Sequence, residues 1–327
     1  MDKIKATVVI LTYNGEKYLA DIFEALRTQK TDFKFETLVI DSGSRDATLA
    51  IIKEYQSKDN SIRLHEIPNS EFGHGKTRNL AAHLAEGELV AYLTHDAIPA
   101  HDHWLYEMAR PFEINDRIVG VMGKQVPRPN CIPMLKSEIN GVFNNFGPDF
   151  GTTIFYKDEF VQNQAVEDAI SFYSDANSVA RRSYLTNEMP YEDVSYAEDQ
   201  LFGRAIINSG RYKVYAPRGA VIHSNDLLLR EYRYRMFDET LGLRKIGVPV
   251  SAPSRKVITK MIVRGVLRDT RNICRDRDYS FNRKLYWLVV NPLFHVERWR
   301  GVRKAALLPL ADKSTAEEQS LESRRKR

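Results

Sequence analysis

The chain has 327 residues, 43% hydrophobic and 28% charged, a composition of folded globular proteins rather than disordered ones. It contains no apolar run of the ~18 residues that a membrane span requires, and its two cysteines, Cys131 and Cys274, lie too far apart in sequence to suggest a disulfide framework or a zinc site. The net charge of +5 is uneven: between Arg255 and Lys304 there are 14 Lys/Arg against 4 Asp/Glu, so the excess is local and the rest is net acidic.

The first residues, Met1-Asp2-Lys3-Ile4-Lys5, do not fit a signal peptide, so a cytoplasmic protein is expected. Residues 6–11 are a buried-strand run, Thr12-Tyr13-Asn14-Gly15 is a turn, and residues 16–29 carry Tyr18, Leu19, Ile22, Phe23 and Leu26 at helical spacing. A second strand over residues 35–40 ends at Asp41, followed by a loop over 42–46 and a helix over 47–56. Residues 62–65 form a short strand, and Phe72-Gly73-His74-Gly75 opens a helix through Leu84 that Gly87 closes. The apolar run 89–93 ends at Thr94-His95-Asp96, and Pro99 bars further strand pairing. This alternation predicts a doubly wound parallel sheet with right-handed crossovers and a ligand crevice at the carboxyl ends of the strands.

After a helix around residues 104–114 the pattern loosens. Residues 124–170, rich in Pro, Asn, Gly and aromatics, read as an irregular flank of a site. Residues 175–180 return to strand, 198–207 to helix, and 212–215 and 220–223 to short strands. From Leu227 onward helices rich in basic residues are expected. Lys260, Arg264, Arg268, Arg271 and Arg275 share one helical stripe, opposite Ile258, Ile262, Val266 and Ile273. Such a helix either packs on its neighbours with a solvated basic face or lies on an anionic membrane surface. The polar tail after Leu310 is expected to be disordered. The expected division is therefore 1–226, 227–310 and 311–327.

Several charged residues stand at strand and helix ends. Asp96 can cap the next helix or hold a hard cation beside a phosphate. Asp41 can close an Asx turn or accept a ligand hydrogen bond. Glu198-Asp199 can face a helix dipole or carry chemistry. Arg78 is a solvated helix residue or an always-charged donor fork, and His223 a hydrogen-bonded residue or a metal ligand. Gly73 and Gly75, at a helix start, would admit a ligand closely, without the spacing of a dinucleotide fingerprint.

In order, these motifs resemble the inverting family 2 glycosyltransferases of GT-A fold, over roughly residues 5–225. The matching segments are Thr12-Tyr13-Asn14, Asp41-Ser42-Gly43-Ser44-Arg45-Asp46, Gly73-His74-Gly75-Lys76-Thr77-Arg78-Asn79, Thr94-His95-Asp96 and Glu198-Asp199-Gln200-Leu201-Phe202-Gly203-Arg204. The resemblance implies an α/β GT-A sheet with helices on both faces, followed here by a helical C-terminal extension. It implies that Thr12, Tyr13, Asn14, Asp41, Ser42, Gly43, Arg78, Thr94, His95, Glu198 and Arg204 surround a nucleotide sugar, with Asp41 at the nucleobase and Arg78 at the nucleotide or its diphosphate. Asp199 would be the general base, and Asp96 with His223 would ligate Mg²⁺ or Mn²⁺. The chain departs from the family's Asp-x-Asp at its first position, where Thr94 replaces a carboxylate; an imidazole ligand suits Mn²⁺ better than Mg²⁺.

A finer resemblance, carried by residues 71–79 and 93–99, is to bacterial rhamnosyltransferases. It implies transfer of L-rhamnose from dTDP-L-rhamnose to a cell-surface polysaccharide or a polyprenyl-diphosphate-linked glycan at the inner face of the membrane. A UDP-hexose or UDP-hexosamine transferase is the alternative. A sugar nucleotidyltransferase would show a Gly-rich, Lys/Arg-containing first turn, which Thr12-Tyr13-Asn14-Gly15 is not. No nucleic-acid-binding module is apparent.

Overall fold

The computed structural model of the chain describes residues 3–160 and 163–326. Its strands are β1 (Ile4–Thr12), β2 (Lys34–Asp41), β3 (Ile62–Glu66), β4 (Leu89–Thr94), β5 (Ile98–Pro99), β6 (Ile118–Val126), β7 (Thr153–Phe155), β8 (Asn177–Arg181) and β9 (Tyr212–Ile222). Its helices are α1 (Glu16–Arg27), α2 (Thr48–Gln56), α3 (His74–Leu84), α4 (Trp104–Ala109), α5 (Pro133–Phe143), α6 (Gln164–Ser171), α7 (Glu198–Asn208), α8 (Leu229–Lys245), α9 (Arg255–Arg275), α10 (Phe281–Leu307), α11 (Lys313–Gln319) and α12 (Leu321–Lys326). The chain divides into two compact units, Met1–Val126 with Val142–His223, and Pro127–Gly141 with Ser224–Arg327. The expected break at 226 is close to the observed one, but residues 127–141 fall in the second unit rather than the first. So do the residues after Leu310, which carry α11 and α12 in place of a structureless tail.

In the first unit one sheet runs β3-β2-β1-β4-β8-β6-β9-β5, with β7 also paired to β9. The half built from residues 4–94 is parallel, as the alternating pattern requires. β8 then pairs antiparallel with both β4 and β6, so the sheet is mixed rather than wholly parallel. β4 sits in the middle, and its first five residues are buried on both faces, which is why it reads as an unbroken apolar run. α1 buries Leu19, Ile22, Phe23 and Leu26 against the sheet, each worth roughly 2 kcal/mol of apolar burial before entropy. On the same core lie Trp104, Leu105 and Met108 of α4.

Four sequence expectations change. Pro99 does not bar pairing: with Ile98 it forms β5, opposite Val221 of β9. β6 is a full strand at the head of the stretch read as irregular, and α5, β7 and α6 lie within it. The two short strands after residue 212 are one, β9, interrupted in its pairing to β6 between Ala216 and Val221; Pro217, Arg218 and Gly219 arch out there without ending it. Gly87 does not cap α3: a Cβ there would lie 2.5 Å from the Ala6 backbone, so the residue is glycine because the chain passes directly over β1.

In the second unit α8, α9, α10 and residues 131–135 enclose a core of Ile132, Met134, Tyr232, Met236, Ile273, Trp287 and Phe294. α9 and α10 run antiparallel: Asp269 accepts from His295 at 2.7 Å and from Asn291 at 3.1 Å, while the Lys284 ammonium donates to the Cys274 carbonyl at 3.0 Å. Among the described residues no helix is long and apolar enough to cross a membrane.

Candidate active site

The register of the sheet sets the site. Thr12 lies opposite Asp41 and Leu11 opposite Thr94, so β2, β1 and β4 end at one level. Asp41 and Thr94 are thus two strand spacings apart, about 10 Å. On the other side Leu93 pairs with Asn177 of β8, and Asp175 stands two residues before it. The Asp175 amide approaches the Asp199 carboxylate at 3.4 Å. The carboxyl ends of the parallel strands and the start of α7 therefore meet at the β4–β8 seam.

At the first turn the chain is stitched to the loop after β2. The Asn14 amide donates to the Ser44 hydroxyl at 2.8 Å, the Arg45 amide donates back to the Asn14 side chain at 2.9 Å, and the Gly15 amide donates to Thr48 at 2.8 Å. Asn14 has φ +51°, a left-handed conformation that Asn tolerates. Asp41 is fully buried. One of its oxygens accepts from the Gly43 and Ser44 amides at 3.0 and 2.9 Å, and the other from the Thr12 and Ser44 hydroxyls. Every strong acceptor position on it is taken, so in this conformation Asp41 closes an Asx-type turn and offers no oxygen to a nucleobase. Ser42 is likewise buried and donates its hydroxyl to the Thr12 carbonyl. Tyr13 and Gly43 remain at the mouth, Tyr13 half-buried and Gly43 exposed with φ +82°.

Arg78 also departs from its expected place. It is 6% exposed, with its guanidinium 3.1 Å from Asp175, bonded to Glu198, and lying over the Tyr92 and Tyr191 rings. Its Nε and Nη1 face two protein carboxylates. Asn79 next to it holds Tyr191 through both backbone groups, each at 2.9 Å. A Cβ on Gly75 would come within 2.2 Å of the Glu192 carbonyl. The glycine-containing motif therefore grips the segment leading into α7; its close approach is to that backbone and not to a ligand. Ala197, the last residue of that segment, takes φ +64°, a strained conformation for a residue with a Cβ, directly before Glu198-Asp199.

Asp199 is half-buried at the first turn of α7 and accepts from the Gln200 amide at 2.8 Å. Burial, with Glu198 and Asp175 adding negative charge beside it, holds its carboxyl well above the usual carboxylate range; Arg78 offsets this only in part. Asp175 is wholly buried and accepts from Ser178 at 2.6 Å and Tyr191 at 2.9 Å. Burial raises its carboxyl too, against the pull of Arg78. Arg204, expected near the substrate, instead points to the surface of α7, 3.7 Å from Asp168 of α6.

Asp96 and His223 do come together: the imidazole Nε2 lies 3.4 Å from the carboxylate. His223 Nδ1 is 2.8 Å from the Gln125 side-chain oxygen. With Nδ1 against the Gln125 oxygen, Nε2 is the ring nitrogen left to face Asp96. Burial opposes a charge on Asp96, yet His223, with help from His95, keeps its carboxyl below the usual range. Carboxylate oxygen and imidazole nitrogen at this separation fit neighbouring positions on one divalent cation, with the histidine oriented from its far side as metal-bound histidines are. Among the described residues no cluster of three or more His, Cys, Asp or Glu could hold a metal, so a cation here needs further oxygens from a ligand such as a diphosphate. His95 approaches the Leu11 carbonyl at 3.4 Å and packs beside Gly15, a wall rather than a ligand. The Thr94 side-chain oxygen is buried.

Sequence reasoning missed Asp175, Asn79 and Gln125. Asp175 reads as the lead-in to a strand, and its partner Arg78 is 97 positions away. Gln125, between Lys124 and Val126 near the end of β6, carries no signal in the sequence; its burial is seen only in the structure.

Comparison with known proteins agrees with this geometry. The glycosyl transferase family 2 profile matches residues 7–187. The O-antigen chain rhamnosyltransferase RfbN of Salmonella typhimurium is 27% identical over 237 residues, 72% of this chain and 71% of that one. WbaN of Salmonella anatum, with the same description, is 30% identical over 236 residues, 71% and 70% of the two chains. The mannosyltransferase PcManGT from Pyrobaculum calidifontis, solved with GDP-Man and Mn²⁺, superposes with a TM-score of 0.57 at 14% identity, covering 92% of this chain and 88% of that one. With the profile spanning more than half of its residues and a sheet of GT-A type beneath them, the chain belongs to glycosyl transferase family 2.

Proposed function

We propose that the protein transfers L-rhamnose, with inversion, from dTDP-L-rhamnose to a surface-polysaccharide or polyprenyl-diphosphate-linked acceptor at the inner face of the cell membrane. The observation that carries this reading is the match to two O-antigen chain rhamnosyltransferases along about 70% of both partners. The site supplies what such a transfer needs. Asp199, across the seam from the strand ends, takes the proton from the acceptor hydroxyl as its oxygen forms a bond to the anomeric carbon. The bond from that carbon to the diphosphate oxygen breaks on the opposite face, and the configuration inverts. Arg78, Asp175 and Glu198 position the first turn of α7 and do not touch the sugar. Tyr13 and Gly43 line the nucleotide side. Asp96 and His223 would hold Mn²⁺ or Mg²⁺; when bound, such a cation supplies charge stabilisation to the leaving diphosphate. A lipid-linked acceptor is met at an anionic membrane surface, to which the basic residues of α9 are suited.

The test is a donor panel of dTDP-L-rhamnose, UDP-glucose, UDP-N-acetylglucosamine and GDP-mannose, with lipid-linked glycan acceptors and mass detection of product. A gain of one deoxyhexose from the dTDP donor alone is expected. Transfer from a UDP donor and none from dTDP-L-rhamnose would replace the proposed donor.

A further inference from the structure

Among the described residues, the hairpin of α9 and α10 leaves several large apolar side chains exposed. Its orientation is fixed from inside. Asp269, fully buried, is bonded to His295, Asn291, Arg268 and Ser137, and a Cβ on Gly265 would lie 2.4 Å from the His295 ring. That polar knot sets the rotation of both helices. Counting ~100° per residue round α9 from Asp269, Val263 and Leu267 lie about 120° and 160° away. Counted the same way round α10 from Asn291, Phe281, Leu285 and Val289 lie about 80°, 120° and 160° away. Because the helices are antiparallel, the same sense of turn brings both sets to one side. Val263, Leu285 and Phe281 thus make an apolar strip along one side, with Leu267 and Val289 at its two outer edges; Leu267 is 66%, Phe281 74% and Val289 73% exposed. Turning further round α9, Lys260, Arg271 and Arg264 border the strip.

We infer that this strip is an in-plane membrane wedge: Phe281, Leu285 and Val289, with Val263 and Leu267, enter the acyl boundary of an anionic leaflet while the bordering cations hold its headgroups. Charge selects the occupant. Residues 255–304 carry 14 basic and 4 acidic side chains, so a second copy of the same face would meet its own charge, whereas an anionic bilayer takes both the cations and the strip. α9, at 21 residues, is about 30 Å long and lies along the surface without crossing. The inference rests on the membrane-surface reading above and adds to electrostatic contact an apolar component that salt does not screen.

The full chain is labelled at Cys274, exposed on the same side about 140° from Asp269, with an environment-sensitive fluorophore, while Cys131 is buried. Phosphatidylcholine vesicles with and without phosphatidylglycerol are the probe. A blue shift and co-flotation with the anionic vesicles alone are expected, and part of the binding persists at raised salt. Phe281→Ser with Leu285→Ser and Val289→Ser should weaken partitioning about tenfold per residue and abolish the salt-resistant part. Arg264→Glu with Arg271→Glu should lower binding chiefly at low salt. Unchanged binding of the triple variant, or wild-type binding that vanishes entirely with salt, overturns the wedge. A concentration-dependent dimer broken by the triple variant, with no vesicle binding, assigns the strip to self-association instead. Donor affinity measured in solution on the same variants separates the readings: it stays at the wild-type value if only the membrane inference fails.

Discussion

Replacing Arg78 by Met separates a strut from a ligand. Met has a similar reach and no charge. In the protein Arg78 lies among Asp175, Glu198 and, slightly farther, Asp199, with Asp175 wholly buried and Glu198 nearly so. Removing the one cation leaves carboxylates that are already short of compensation. Breaking a buried pair in this way costs about 3–5 kcal/mol, roughly 10 °C in melting temperature for a unit of this size. The pH dependence has a definite sign. Asp175 and Asp199 have raised carboxyls in the folded protein, so the folded state binds more protons than the unfolded state over the window between the ordinary carboxylate value and the raised one. Stability therefore falls as pH rises through that window. Arg78→Met raises these carboxyls further, so its melting deficit should be largest at pH 8 and shrink toward pH 5. Circular-dichroism melts across that range, with calorimetric titration of the nucleotide donor at low temperature, make the assay. A variant that melts like wild type at pH 8 but loses donor binding would refute the strut and return Arg78 to the diphosphate.

Asp199→Asn should cut turnover about 10³-fold with donor affinity within a factor of ~2; because it also removes a half-buried carboxyl whose charge is disfavoured, its melting point at pH 8 should rise by a few degrees, for a gain on the order of 1 kcal/mol. The wild-type rate should climb with pH as that raised carboxyl ionises, and the Asn variant's residual rate should not follow it. Gln125→Ala should weaken Mn²⁺ binding about 10–100-fold by freeing the His223 ring, read by electron paramagnetic resonance of Mn²⁺ in the presence of dTDP; unchanged affinity would remove His223 from the ligand set. Gly75→Ala should push the 191–192 backbone away from α3 and lower both melting temperature and turnover, whereas a fully active, stable variant would show that the close packing there is dispensable.

The first half of the sheet was legible because β1 to β4 and their helices are local: each strand is a short apolar run and each crossover an amphipathic helix within a few tens of residues. β6 was not, because Gly120 and Gly123 dilute its apolar run and the Pro-rich segment after it resembles a loop. Of the motif residues, Asp96 meets His223 beyond the end of β4, and Asp199 meets Asp175 at the start of β8. In this structure their motif neighbours Arg78 and Asp41 bond to protein groups. Arg78 and Asp41 look like ligand contacts from sequence because long-range partners such as Asp175, Glu198 and Thr12 leave no local periodicity. Thr94 in place of a carboxylate was visible at once, and the Gln125–His223 contact that orients the remaining nitrogen was not.

The hydrogen bond from Arg78 to Glu198 spans 120 positions of the chain. During synthesis β1, β2, β3 and β4 can pair with one another once residue 94 has emerged, before β8 arrives to pair with β4. The first turn of α7 cannot be set until residue 198 has left the ribosome and α7 has docked on α3. A nascent or prematurely ended chain can thus form the strand ends of the first half of the sheet without the α7 turn that Arg78 holds. Under the proposed mechanism, acceptor activation is then assembled later than those strand ends.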